Sequence, residues 1–551
     1  MEFVFFVTAF IFYTTKCTAV DQMSKTEESE NTNENVDIFT TCYEELGCLR
    51  TDSKWYHKKY RPVNLRPVER HIIKTDFLLL KRSKQDPESL LYNSFIAKYG
   101  SIKAVGFNNE SELMILIHDF TANGYTGWVK HAGNIIHGQS LDYNVVSVDW
   151  QRGAEPPYDQ AIANARVVAL EIIILLKELK EKMHYGFENI HIVGHGIGAH
   201  IAGYVGTTHD KIKKITGLDP SGFRFEGMPE SVKLNPNCAQ YVEIIHTDAY
   251  ESRSQGINET LGHSDFYVNS AKHQPGCSEN TTFSNLVSVG RNSLHEGEIL
   301  PGCDHKRSFK YFIESVANRN CTFMGIRCEN DFAFENGKCA SCTDPDNDCR
   351  IFGLRTYRTT IQKEKFFLNT ADHAPYCMFQ YRISIYMKKT GGFGYFDFIL
   401  VDDNANIAEV ILSSSSPESN YREMKGDQNN TFVYYAHPPQ LGSIKEAKVR
   451  WNQKKKFYCI IYCSTTVNVE KIYVKLLNGH LKDEREESVL CSSSGTDIED
   501  RTFKTFTSCS GSRTTTTETT ETTETSTLPT TIKMSTKKAE SISKTIPGHL
   551  D

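Results

Sequence analysis

Neither sign of charge dominates this chain. Its 551 residues carry 62 Lys and Arg against 68 Asp and Glu, a formal net charge of −6. Without a basic excess there is no electrostatic footprint for nucleic acid, and the acidic balance is too slight to name a partner. Long hydrophobic runs are equally scarce. Beyond the N-terminal stretch no segment is apolar enough to cross a bilayer, so no transmembrane segment is expected. The C-terminal end lacks the hydrophobic tail of a GPI signal. The apolar run from Phe3 to Tyr13 lacks a basic n-region, with Glu2 in its place, and is too short for a span. Followed by Cys17-Thr18-Ala19, which resembles a small-residue cleavage site, it marks residues 1–19 as a signal peptide.

What is present fits a secreted chain of more than one domain, with 39% hydrophobic and 24% charged residues. Sixteen cysteines, many at short spacings, point to disulfides formed in an oxidising compartment. Sequons at Asn109, Asn258, Asn280, Asn320 and Asn429 agree with export. The expected localisation is extracellular.

Patterning divides the chain. Residues 20–41 are polar and acidic and are read as disordered. From Cys42 to Cys349, short β-branched runs (Leu113 to Ile117, Asn144 to Val148, Ile190 to Val193, Val242 to Ile245) alternate with helical stretches. The longest is Asp159 to Met183, whose aliphatic part from Val167 to Leu179 is too long for a strand. Such alternation predicts an α/β fold with a parallel sheet covered on both faces. Residues 350–510 change period, with alternating strands such as Phe379 to Tyr386 and Tyr395 to Val401, which predicts an antiparallel β-sandwich. Residues 511–551 hold a run of Thr and Glu that cannot form a core; it reads as an O-glycosylated stalk or a plain disordered tail.

The chemistry-bearing motif follows Ile190-His191-Ile192-Val193. The sequence Gly194-His195-Gly196-Ile197-Gly198 has the strand–turn–helix setting of a G-x-S-x-G nucleophile elbow, but Gly196 stands where that pattern has serine. Asp219 and His305 follow in the order acid, then histidine, that α/β-hydrolases use.

At these residues the chain resembles the pancreatic lipase family, over nearly its whole length apart from the tails. Cys42 to Cys48 resembles the family's opening disulfide loop, Ser147-Val148-Asp149-Trp150 a V-D-W strand end, and Ile215 to Pro220 the segment bearing the triad acid. Ile245-His246-Thr247-Asp248, Gly262 to Tyr267 and Gln274-Pro275-Gly276-Cys277 are similar to further family signatures, and Cys303 to Ser308 to the segment holding the triad histidine. Lys365 to Thr370 resembles the start of the family's C-terminal PLAT sandwich. The resemblance implies an α/β-hydrolase fold with triad positions Gly196, Asp219 and His305, oxyanion-hole amides at Phe120 and Ile197, and a lid closed by a Cys277–Cys303 disulfide. It also implies connector disulfides Cys328–Cys339 and Cys342–Cys349; Cys491 and Cys509 could close the C-terminal domain, while the pairing of Cys238, Cys321, Cys377, Cys459 and Cys463 stays open.

Three departures decide the functional expectation. Gly196 offers no atom to form an acyl-enzyme, and loss of a triad serine lowers turnover by around a millionfold. Asp119 replaces a glycine of the oxyanion loop; either its carboxylate opposes the developing oxyanion or it points to solvent and does little. The family's calcium loop keeps Glu230 but has Asn235 and Cys238 where carboxylates belong, so no metal and no cofactor is expected. The expected function is a non-catalytic protein binding lipid or lipid–water interfaces, with a colipase-like protein as a further partner; the alternative is a carboxylic ester hydrolase of triacylglycerol lipase type with weak activity.

Overall fold

A computed structural model describes residues 38–509 except 84–88, 140, 209–211, 251–253, 278–301, 319, 343–347, 355–362, 389–390, 413–419, 455–464 and 479–486. The signal peptide, nearly all of the acidic segment, the lid interior, Cys459, Cys463 and the Thr-rich tail therefore lie outside the described residues.

The described chain opens with a hairpin, β1 (Phe39–Tyr43) and β2 (Gly47–Thr51), closed by Cys42–Cys48. The first strand thus begins at Phe39, ahead of the predicted boundary at residue 42, because the cross-linked hairpin pairs the residues preceding Cys42 with those following Cys48. An 11-stranded sheet follows. Its strands are β3 (Asp76–Arg82), β4 (Leu90–Phe95), β5 (Glu112–Ile117), β6 (Tyr143–Asp149), β7 (Ile190–His195), β8 (Lys214–Leu218), β9 (Tyr241–His246), β10 (Ser264–Val268), β11 (Met324–Arg327), β12 (Cys349–Ile351) and β13 (Glu364–Leu368). Their order is β12-β11-β13-β10-β9-β8-β7-β5-β6-β3-β4. Pairing is parallel from β6 through β13 and antiparallel at both edges.

Side chains alternate across a strand, so each central strand feeds two cores. Leu113, Ile115 and Ile117 of β5 join one hydrophobic cluster, whereas Met114 and Leu116 join the other. Helix α1 (Gly127–Gly138) covers the second face with Trp128, Val129 and Ile136. Helix α2 (Tyr158–Met183) covers the first with Val167, Ile172, Leu175, Leu176 and Leu179. Each such aliphatic side chain contributes roughly 1.5–3 kcal/mol on full burial. Helix α3 (Ile197–Gly206), buried along its whole length, leaves β7 directly; helix α4 (Cys303–Ala317) carries Tyr311, Phe312 and Val316 into the second face. This is an α/β-hydrolase fold.

The second sheet is antiparallel and matches the predicted β-sandwich. It comprises β14 (Phe379–Met387), β15 (Gly392–Asp402), β16 (Ile407–Val410), β17 (Arg422–Met424), β18 (Gln428–Ala436), β19 (Ile444–Gln453), β20 (Thr466–Leu476), β21 (Glu487–Cys491), β22 (Asp497–Glu499) and β23 (Phe503–Ser508). In β20 the inward set Val467, Val469 shifts to Ile472, Val474, Leu476, and a register shift against β14 absorbs the extra residue as a bulge. Two strands do not sit where the predicted division at residues 349 and 350 puts them. β12 straddles that division, and β13, expected to open the sandwich, pairs with β10 and β11 in the first sheet. The reason is packing: Phe366 stacks on Phe266, and Phe367 on Tyr267, on opposite faces of that sheet. The disulfides Cys277–Cys303, Cys328–Cys339, Cys342–Cys349 and Cys491–Cys509 are present, and Cys321 pairs with Cys377.

Candidate functional site

The residues singled out by sequence converge beyond the C-terminal ends of the parallel strands, where open α/β sheets bind ligands. Asp119 follows β5, Gly196 joins β7 to α3, Asp219 follows β8, and His305 lies in the first turn of α4 behind the Cys277–Cys303 disulfide. At Gly196 the chain reverses from strand to helix with φ 54° and ψ −116°, a strained turn in the left-handed half of backbone space. Hydrogen bonds fix it: the Gly196 N–H donates to the Leu218 carbonyl (3.1 Å), and the Gly196 carbonyl accepts from Ser221 N–H (3.3 Å).

Asp119 does not point to solvent; it is 6% exposed. Its Oδ1 accepts the Ile197 N–H at 2.7 Å. Its Oδ2 accepts from His305 Nε2 at 3.2 Å. On the other side of the imidazole, His305 Nδ1 donates to Asp219 Oδ2 at 2.6 Å. Asp219, at φ 41°, has its Oδ1 held by the N–H groups of Thr247 (2.8 Å) and Asp248 (3.0 Å). A single line of contacts therefore runs Ile197 N–H, Asp119, His305, Asp219. A Cβ added to Gly196 would lie under 3.0 Å from Cγ, Oδ1 and Oδ2 of Asp119. The carboxylate fills the volume a side chain at position 196 would need.

The electrostatics follow from this burial. Burial alone works against a charged His305, but hydrogen bonds to Asp119 and Asp219 and their charges outweigh it and raise the imidazole to about 10. Burial likewise opposes ionisation of Asp119, yet the His305 hydrogen bond, the neighbouring histidines and the Ile197 N–H hold its carboxyl below the usual range. At neutral pH Asp119 is therefore a carboxylate and His305 an imidazolium. His195 is the contrast: burial, with the His305 charge beside it, depresses it to about 3 and leaves it neutral. It sits with its ring centroid 4.3 Å from that of His305 and its Nε2 at 3.3 Å from the His305 carbonyl oxygen. Phe120 is buried against Tyr158, ring centroids 5.0 Å apart.

The chain matches the lipase family model over residues 40–376. It belongs to the pancreatic lipase family. Mouse (Mus musculus) pancreatic lipase-related protein 2 is 32% identical over 426 residues, covering 75% of this chain and 84% of the relative. Rabbit (Oryctolagus cuniculus) pancreatic triacylglycerol lipase is 31% identical, covering 79% and 95%. Mouse inactive pancreatic lipase-related protein 1 is 30% identical, covering 75% and 85%. The pancreatic lipase family therefore includes relatives named as lipases and relatives named as inactive, and membership alone does not assign this chain to either group.

Two further points concern this family member. At the loop corresponding to the family's calcium site, Glu230 accepts from Lys363 Nζ (2.7 Å), the Asn235 amide nitrogen donates to the Glu230 carbonyl (3.1 Å), and Cys238 is buried. Calcium takes six to eight oxygens, several of them anionic, and these residues do not fit it. Sequence reasoning also passed over His195. Its position inside the elbow pentapeptide was visible, but its approach to the carbonyl of His305, 110 positions away, was not.

Proposed function

We propose that this chain is a secreted, lipase-like protein without serine-hydrolase activity that binds lipid or a lipid–water interface. The observation that carries the reading is the Asp119 carboxylate lying in the space of a residue-196 side chain and accepting the Ile197 N–H. Acyl transfer needs an attacking oxygen, a neutral base within reach of it and free N–H donors for the developing oxyanion. Gly196 supplies no oxygen. His305 Nε2, the atom that would take the nucleophile's proton, is already protonated and turned to Asp119. The Ile197 N–H, an expected oxyanion donor, is already bound to a full negative charge. All three requirements fail at one place, through two residues.

Lipid affinity rests on the family, whose members include triacylglycerol lipases, and on the antiparallel sandwich, which resembles the PLAT domain of those enzymes. A colipase-like protein is proposed as a further partner on the family resemblance alone. Asn109, Asn258, Asn320 and Asn429 are exposed, as glycosylation of a secreted chain requires. The weak-hydrolase alternative draws on the intact 2.6 Å bond between His305 and Asp219. That bond is equally the inner half of a buried ion triad, so it does not favour catalysis.

The purified protein should release no nitrophenol from p-nitrophenyl butyrate above buffer, and should float with a trioleoylglycerol emulsion stabilised by phosphatidylcholine. Turnover that disappears in His305→Ala would overturn the first half. Failure to float at any lipid concentration would overturn the second.

A further inference from the structure

The side chains that silence acyl transfer also compose a different kind of site. Among the described residues, Asp119, His195 and His305 form a trio in which one ligand-capable atom of each lies within 4.8 Å of the others. All three side chains are buried, and they arrive from three separate elements: the loop after β5, the end of β7 and the first turn of α4. Such convergence is how a metal centre is held, because each ligand is fixed by its own backbone rather than by neighbours in sequence.

We infer that Asp119, His195 and His305 bind a divalent transition cation, zinc being the favoured ion. The donor set is two imidazoles and one carboxylate, the combination zinc takes at sites with an open fourth position. With bonds of about 2.0–2.1 Å, two ligands of a tetrahedral zinc stand about 3.3 Å apart. His305 Nε2 and Asp119 Oδ2 are already separated by 3.2 Å. From a limit of 4.8 Å, His195 has at most about 1.5 Å to close to reach that spacing. In binding, the cation takes the place of the proton on His305 Nε2, and that proton leaves to solvent.

The surroundings agree with this assignment. A metal-bound histidine characteristically donates its other ring N–H to a carboxylate, and His305 Nδ1 donates to Asp219 Oδ2 at 2.6 Å. Asp219 is itself held by two backbone N–H groups, so it orients the ring rather than competing for the ion. His195 donates from Nε2 to the His305 carbonyl, which leaves the lone pair a neutral imidazole needs on its other nitrogen. Its ring is packed edge-on against Phe309 (5.2 Å) and Trp128 (6.3 Å), an apolar wall of the kind that surrounds metal sites. This inference does not depend on lipid binding: zinc without flotation, or flotation without zinc, would leave the other standing.

The test uses the full secreted chain without a histidine tag, stripped with a chelator and titrated with zinc sulfate against a competing chromophoric chelator. One zinc per chain is expected. Affinity should fall at least about tenfold in His195→Gln and in His305→Gln, and about 10–100-fold in Asp219→Asn, where the ion is retained but its supporting carboxylate is neutralised. Cobalt(II) in place of zinc should give the intense visible absorption of a tetrahedral centre. Should either glutamine variant fail to fold by circular dichroism, Asp119→Asn decides, because the carboxamide still accepts the Ile197 N–H while losing the anionic ligand. No stoichiometric zinc in the native chain, or equal affinity in the native chain and in these variants, would overturn the assignment.

Discussion

Gly196→Ser alone is expected to yield a less stable protein that hydrolyses no ester, whereas Gly196→Ser combined with Asp119→Gly is expected to create an esterase. The single change puts a Cβ and an oxygen into the volume of the Asp119 carboxylate, at a residue whose φ of 54° already disfavours any side chain. Overpacking of a buried site costs about 1–3 kcal/mol, and holding a side chain in a sparsely populated backbone region costs a similar amount. Removing the aspartate empties that volume, frees the Ile197 N–H for an oxyanion and leaves Nε2 of His305 facing the new hydroxyl. The Asp219 hydrogen bond and the elbow turn remain. A triad serine is worth around a millionfold in turnover, so the double variant has that much to recover, less whatever its untrained pocket loses. Stability should be non-additive in the same sense: Asp119→Gly should be less costly in the Gly196→Ser background, where it relieves a clash, than in the native one, where it only removes a buried partner of His305. Ester assays and thermal melts on the three variants check this. Turnover by Gly196→Ser alone would show that the carboxylate does not block the site.

His305→Ala should be the most damaging single substitution for stability. It removes the cation between two buried carboxylates, and breaking one partner out of a buried ion pair typically costs about 3–5 kcal/mol. The pH dependence has a definite sign. The folded-state value of His305 is raised from 6.5 to about 10, so its stabilisation is complete below about pH 6.5 and is lost as pH climbs through 10. Asp119 is lowered from 3.8, so its contribution holds above that value and is lost as pH falls. His195, driven down from 6.5 to about 3, resists charging, and stability falls as pH drops from 6.5 toward 3 because the unfolded chain takes up that proton first. The native protein should therefore melt highest near neutrality and lose stability progressively as pH rises from about 6.5 to about 10. In His305→Ala the alkaline loss should be largely gone. The gap to the native protein should also narrow toward pH 5, as one of the two bare carboxylates takes up a proton. Melting curves across this range that stay parallel for the two proteins would remove His305 from the account.

Much of the fold was legible because hydrophobic period and chain geometry agreed. The run from Val167 to Leu179 announced a buried helix, and the helix spans Tyr158–Met183. The short β-branched runs each landed inside a parallel strand, because strands buried on both faces need uninterrupted apolar sequence. β13 escapes the same reading: its aromatic residues fit a strand of either sheet, and cross-strand stacking on Phe266 and Tyr267 of β10 places it in the first. At the site, the glycine at 196 and the aspartate at 119 could each be seen as a departure from pattern, and each was read as a separate loss. That they are one change could not be read from sequence, since the Asp119–Ile197 contact joins positions 78 apart and local pattern carries no such register. The fate of Asp119, buried against the Ile197 N–H and His305, likewise depended on an unwritten fact about volume: a glycine elsewhere had made room for it.

The carboxylate on the Ile197 amide resembles one end of a released fatty acid in its chemistry, with the difference that it is covalently part of the chain. A free acid entering from a membrane or droplet would compete against a rival that never diffuses away and whose local concentration dilution does not change. Such a protein would be blind to the level of hydrolysis products around it.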